Sequence, residues 1–130
     1  MSKFTKFRSS VPEGMKIFAH GVEVAEHNHC HRYARKFVKR SKRRIYLKRE
    51  PENKPDFSAI RVMGESTGWF FGARKCIGYV PADLARKLVI SGIDAKVEAQ
   101  LQMILVDGKD SVKIRFDLLG SSDDYEKYSS

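Results

Sequence analysis

Arg44-Ile45-Tyr46-Leu47-Lys48-Arg49-Glu50-Pro51-Glu52-Asn53-Lys54-Pro55-Asp56-Phe57-Ser58-Ala59-Ile60-Arg61-Val62 is the stretch on which the fold turns. Arg44 to Lys48 alternates charged and apolar residues, the period of a half-buried strand. Pro51 and Pro55 then forbid a helix, and each drives its predecessor toward extended geometry. Asn53 and Asp56 have short side chains that bond back to nearby backbone, so the segment is a structured loop. Ala59-Ile60-Arg61-Val62 resumes a strand.

Downstream, Ile60 to Gly64 and Lys75 to Val80 read as paired strands. Their connection carries Thr67-Gly68-Trp69-Phe70-Phe71-Gly72. Its three rings either plug one end of a barrel or form a stacking platform for unpaired bases. Ile77-Gly78-Tyr79-Val80-Pro81-Ala82-Asp83-Leu84-Ala85 is a short strand turning directly into a helix. Pro81 suits the first helical position, Asp83 the first turn and Gly92 the position past the end. Leu84, Ala85 and Leu88 supply the stripe that packs on the sheet. Val97, Ala99, Leu101, Met103 and Leu105 alternate with polar residues, turn at Asp107-Gly108-Lys109-Asp110, and resume as Val112, Ile114, Phe116 and Leu118. That pattern is a hairpin with one inward face.

Upstream, Lys16 to Val24 gives a strand with Gly21 as a bulge or bend. Ala25 to His31 is a polar turn, followed by an amphipathic helix from about Cys30 to Arg40, with Asn28 as N-cap. Tyr33, Ala34, Phe37 and Val38 form its apolar stripe, and Lys39 and Arg40 suit its negative end. Residues 1–14 read as a flexible arm, 15–120 as one domain, and 121–130 as a disordered polar tail. Many short strands, two helices and no βαβ repeat predict a mainly β chain built as a small antiparallel barrel.

At 130 residues, 42% hydrophobic and 32% charged, the composition is that of a globular domain. No apolar stretch approaches the roughly 20 residues of a membrane span, and the N-terminus lacks the apolar core of a secretory signal. With only Cys30 and Cys76, a reduced, cytoplasmic setting is the simpler expectation. The net charge of +9 is local: ten basic and no acidic residues lie between Arg32 and Arg49, leaving fifteen basic against sixteen acidic elsewhere. Such a patch suits a polyanion, most simply a nucleic-acid backbone. The plainer alternative is a solvated helix face.

The two blocks at Arg49–Val62 and Ile77–Ala85 together resemble the HIRAN domain. The signature is a strand ending in Arg-Glu-Pro-x-Asn, a short step to Asp, Ala-Ile-x-Val, and later Ile-Gly-Tyr-Val-Pro ahead of a helix. The resemblance runs from about Lys16 to Leu119. It implies a small OB-like β-barrel which, in helicase-like remodellers, binds single-stranded DNA at a free 3′ end. Asp56 matches the loop aspartate that accepts a hydrogen bond from the terminal hydroxyl, and Tyr79 matches a pocket position. The chain departs from the pattern at Pro55, where the family has an aromatic. After Gly21 it has Val22, Glu23 and Val24, where the family places a basic–aromatic pair.

The expected site therefore has Arg32, Arg43, Arg44, Lys48 and Arg49 neutralising phosphates. Tyr79, with Tyr33 and Trp69, stacks on bases, Pro55 lies against one, and Asp56 reads the chain end. Each has a plainer alternative: Asp56 caps its own loop, Tyr79 is a buried barrel residue, and Arg49 locks the loop by pairing with Glu50 or Asp56. His27, His29, Cys30 and His31 are zinc-ligand types, but their spacing is too tight for a structural site, and no metal or cofactor is expected. Cys30 beside histidines lacks the spatial relation a thiolate–imidazole pair needs. Glu50 and Glu52 flank a proline as loop residues, and no Walker-type phosphate loop is present. A non-enzymatic single-stranded DNA-binding protein serving a nuclease, helicase or ATPase in repair or replication is the expectation. The alternative is a module that recruits an acidic protein partner.

Overall fold

The proline-bearing loop does what its residues dictate, ending β3 (Arg44–Arg49) and reversing the chain into β4 (Ile60–Glu65). Glu50 N donates to Ala59 O (2.9 Å) to close it. The computed structural model describes residues 2–8, 10–26, 30–39, 43–52, 55–66, 74–108 and 111–130. Around these strands the chain forms β1 (Ser2–Lys6), β2 (Met15–Glu23), α1 (His31–Phe37), β5 (Arg74–Tyr79), α2 (Ala82–Ile90), β6 (Glu98–Asp107), β7 (Ser111–Ser121) and α3 (Tyr125–Ser129). Asn28, His27, His29, Arg40, Lys42, Asn53, the aromatic run at Trp69 to Phe71 and the turn residues Lys109 and Asp110 lie outside the described residues.

The strands form two antiparallel sheets, β3-β4-β5 and β1-β6-β7-β2. Among the described residues no closed barrel forms. Among the described residues one seam between the sheets is stitched by a single bridge, where Ala25 N donates to Tyr79 O (2.7 Å) and Tyr79 N to Ala25 O (3.0 Å). Gly78 makes this approach possible: a Cβ there would overlap Val24 Cγ1 and lie 2.8 Å from Ala25 O. At the other seam β3 lies beside β6 without a ladder.

Between the sheets sits the core, with Phe37, Ile60, Val62, Leu88, Ile93, Ile104, Phe116 and Leu118 all buried. Helix α2 ends where expected. Gly92 (φ +74°) stands just past its C-cap, Gly92 N reaches Val89 O and Ile93 N reaches Leu88 O, both at 3.1 Å. This is the paired ending that a left-handed residue permits. The buried polar Asp117 is satisfied by Gly21 N (2.9 Å) and His20 Nδ1 (3.2 Å). A register shift between Ala19 and Val22 places Gly21 at the expected bulge.

Several expectations are corrected. Residues 1–14 are not an unstructured arm throughout, because β1 covers the edge of β6 in the register Ser2↔Asp107 to Lys6↔Met103. Its Phe4 is 59% exposed, so pairing by backbone, not side-chain burial, holds it. The C-terminal tail is likewise structured: a 3₁₀ turn at Ser122–Asp124 leads into α3, the third helix. There Tyr128 stacks on Phe18 at 4.9 Å and Tyr125 meets it edge-on at 5.5 Å. Helix α1 has Cys30 as N-cap and stops at Val38, whose carbonyl accepts from Arg43 Nη1 at 2.7 Å. Pro81 is the N-cap of α2 and not its first helical residue. In the hairpin, Leu101 opposes Phe116 but Met103 opposes Arg115, so Gln102 is an extra residue on β6. The extra residue reverses parity, and Ile104, not Leu105, turns inward opposite Ile114.

Candidate nucleic-acid interface

Direct opposition across an antiparallel ladder puts side chains on the same face. Lys48 opposes Arg61, and Arg61 opposes Tyr79, so the three form one row across β3, β4 and β5. The row stands on the outer face, since Ile45 and Val62, of opposite parity, face the core. Arg44 and Tyr46 continue this face along β3, because alternate residues share a side.

Glu50, just past the end of β3, organises the row. Its carboxylate accepts from Arg61 Nε and from Tyr79 OH (3.0 Å). Burial, then the adjoining carboxylate, pushes the Tyr79 hydroxyl above its ordinary range. Burial pulls the Arg61 guanidinium down, but hydrogen bonds with Glu50 and Tyr79 outweigh it and hold the pKa up. Arg61 therefore stays protonated within an ion pair with Glu50, and the phenol ring of Tyr79 is held in one orientation.

The loop beside the row is built by backbone capture. Asp56 Oδ1 accepts from Ser58 N (2.9 Å), and Ala59 N donates to Asp56 O (3.1 Å). Asp56 thus caps its own turn, as its side-chain length favours. Arg49 is spent on the same loop: Nη2 donates to Phe57 O (2.8 Å) and Nη1 to Asp94 Oδ2 (3.4 Å). The lock anticipated for Arg49 exists, but with Asp94 and a carbonyl, because Glu50 is engaged by Arg61 and Tyr79. Pro55 is exposed. Next to it, Phe57 leaves 66% of its surface in water on a turn whose backbone is bonded on both sides.

The remaining expected site residues divide between two other places. Arg43 lies over the Phe7 ring (5.3 Å), and with Arg44 lines the unladdered β3–β6 seam. On α1, Tyr33 is half-buried between the cations of Arg32 (5.6 Å) and Lys75 (5.2 Å). The structure therefore joins Lys48 and Tyr79 through Arg61, places Pro55 and Asp56 on the turn between β3 and β4, and carries Arg32 and Tyr33 on α1. Trp69 lies outside the described residues.

The Cys30 thiol is pushed up to about 12 by burial and then by a hydrogen bond with Cys76. Such a thiol stays protonated at neutral pH, unlike a nucleophile. Among the described residues no group of three or more His, Cys, Asp or Glu is placed to hold a metal ion, and no helix is long and apolar enough to cross a membrane.

Phe57 and Arg61 carry weight that the sequence reading did not give them. For Phe57 the signal was present as a lone ring in a polar, proline-bounded loop. For Arg61 it required the register, which places it between Lys48 and Tyr79. No protein-family model, curated protein or solved structure matches the chain.

Proposed function

We propose that the protein binds single-stranded DNA on the outer face of the three-stranded sheet, with the Pro55–Phe57 turn taking the 3′ end. The observation that carries this reading is the exposed Phe57 ring on a locked turn of the loop that leaves β3, the strand that contributes Lys48 to the row with Arg61 and Tyr79. An exposed ring together with a basic surface is what unpaired bases and their phosphates require. The HIRAN resemblance supports the same face, and the two sheets stitched at Ala25–Tyr79 are read as an opened OB-like barrel. Phe57 takes over the stacking that the family's aromatic, here Pro55, performs. Lys48 neutralises a phosphate, Arg61 fixes Glu50 and through it Tyr79, and Arg49 holds the loop. The Asp56 carboxylate accepts from a terminal hydroxyl and repels a terminal phosphate. Binding is independent of base sequence, because rings and charges do not distinguish bases. The protein would bring a nuclease, helicase or ATPase to exposed ends.

Fluorescence anisotropy with a short labelled strand, ending in a 3′-hydroxyl or a 3′-phosphate, tests the reading at two salt concentrations. The hydroxyl end should bind more tightly, and Asp56→Asn, which retains an oxygen for the Ser58 amide, should erase the difference. Equal affinity for both ends in the wild type overturns end recognition. No binding at low salt overturns the DNA reading and leaves the protein-recruiting module.

A further inference from the structure

The seam where β3 and β6 fail to pair is a groove of about 310 Å³, with Phe7, Arg8, Ser10, Arg43, Arg44 and Gln100 along it. Among the described residues three arginines and no carboxylate line it. They come from chain segments far apart in sequence, so the convergence is a product of the fold.

Two of the three are held in place. Phe7 N donates to Gln102 O (3.0 Å), and Ser10 bonds through both its N–H and its carbonyl to the Gln100 side chain. These anchors on either side of Arg8 fix the backbone that carries it on one rim. On the other rim Arg43 is fixed by Val38 O (2.7 Å) and by the Phe7 ring. Arg8 and Arg44 are exposed, and among the described residues neither has an ion-pair partner. Among the described lining residues three guanidinium groups meet no carboxylate, and Glu65, opposite Arg44 on the ladder, is itself engaged by Arg74 (3.2 Å), so the cleft carries a positive potential. The planar guanidinium forks suit phosphate oxygens.

We infer that this groove is a second phosphate site, taking the phosphodiester backbone of the strand whose 3′ end sits at the Phe57 turn. The inference rests on the proposed function and extends it with Arg8 and a direction. Arg44 shares the outer face of β3 with Lys48 and lies four residues away, about 13 Å along a strand. A strand leaving the Lys48–Arg61–Tyr79 row along Tyr46 therefore reaches Arg44 and enters the seam between Arg8 and Arg43. Strand length, not only end chemistry, then sets the affinity.

The test measures binding of two oligothymidylates with 3′-hydroxyl ends, of about 4 and about 12 nucleotides, over a salt series. The proteins are the wild type, Arg8→Ala/Arg44→Ala and Phe57→Ala. Both arginines are exposed, so the double variant should melt like the wild type. It should weaken the long strand far more than the short one and lower the long strand's log–log salt slope by about 1.4, two contacts at about 0.7 each. Phe57→Ala should weaken both strands. A double variant that keeps the full salt slope on the long strand overturns the groove and leaves the end site standing. A wild type that binds neither strand overturns the function first and the groove with it.

Discussion

Gly78→Ala is the sharpest test of how the two sheets are held in register with the site. The added methyl would overlap Val24 Cγ1 and lie 2.8 Å from Ala25 O, both parts of the segment that crosses between the sheets. Neither neighbour is the free end of a flexible side chain, so the segment must move away. Both hydrogen bonds of the Ala25–Tyr79 bridge are then stretched. Two backbone bonds are worth about 0.5–1.5 kcal/mol each, and displacing the buried Val24 adds about 1 kcal/mol. The expected loss is about 2–4 kcal/mol, or roughly 8–15 °C in Tm for a domain of this size. Gly92→Ala is the control. It has nothing within 4 Å and only a φ of +74° to strain, a cost of about 1–2 kcal/mol. Thermal and urea melts of both variants, followed by DNA titration, separate the effects. Gly78→Ala should also weaken binding, because Tyr79 carries the far side of the bridge, whereas Gly92→Ala should not. A Gly78→Ala protein that melts within about 2 °C of the wild type would mean that this bridge does not tie the sheets.

Phe57→Ala should leave the melting curve nearly unchanged, since the ring is already 66% exposed. It should nevertheless weaken single-strand binding by roughly 5- to 150-fold, the equivalent of one stacked base at about 1–3 kcal/mol. Unchanged affinity in the titration would remove Phe57 from the site. The raised Cys30 pKa makes stability depend on pH with a definite sign. The thiol ionises in the unfolded chain near its reference pKa of about 8.5 but in the fold only near about 12. Its contribution is thus complete below the lower value and declines as pH rises toward the upper one. Denaturant melts between those limits should show stability falling, and Cys30→Ser should flatten the slope. Iodoacetamide at mildly alkaline pH should label Cys30 far more slowly in the native protein than in denaturant.

The central strands were legible because each carries one apolar face, as the buried Ile45, Ile60 and Val62 show. Strand β1 was not, because an edge strand with Phe4 in solvent has no inward set to reveal it. Helix α3 is five residues long, too short for a period, and only the tertiary partner Phe18 gives Tyr125 and Tyr128 a reason to order. Alternation located the hairpin but named Leu105 as inward, because a single added residue at Gln102 is invisible to a two-residue period. At the site, residue types indicated charge and rings, while register decided who stands beside whom. Lys48 and Tyr79 were expected, and Arg61 between them came only from pairing. Arg8 was hidden by reading its neighbourhood as a loose arm.

The two sheets also differ in when they can form. The β3-β4-β5 meander is drawn from one unbroken run of chain, residues 44–79. The other sheet joins segments about a hundred residues apart, since Ser2 must find Asp107 and Met15 must find Ser121. Contacts between neighbours in sequence are reached early, and those that close long loops come late. During synthesis the meander, with its Lys48–Arg61–Tyr79 face, is complete while β1 and β2 still await the last hairpin. Until that hairpin leaves the ribosome, both early strands expose unpaired edges. A truncation before Glu98 should therefore yield an aggregating chain, even though every residue of the Pro55–Phe57 turn and its row is present.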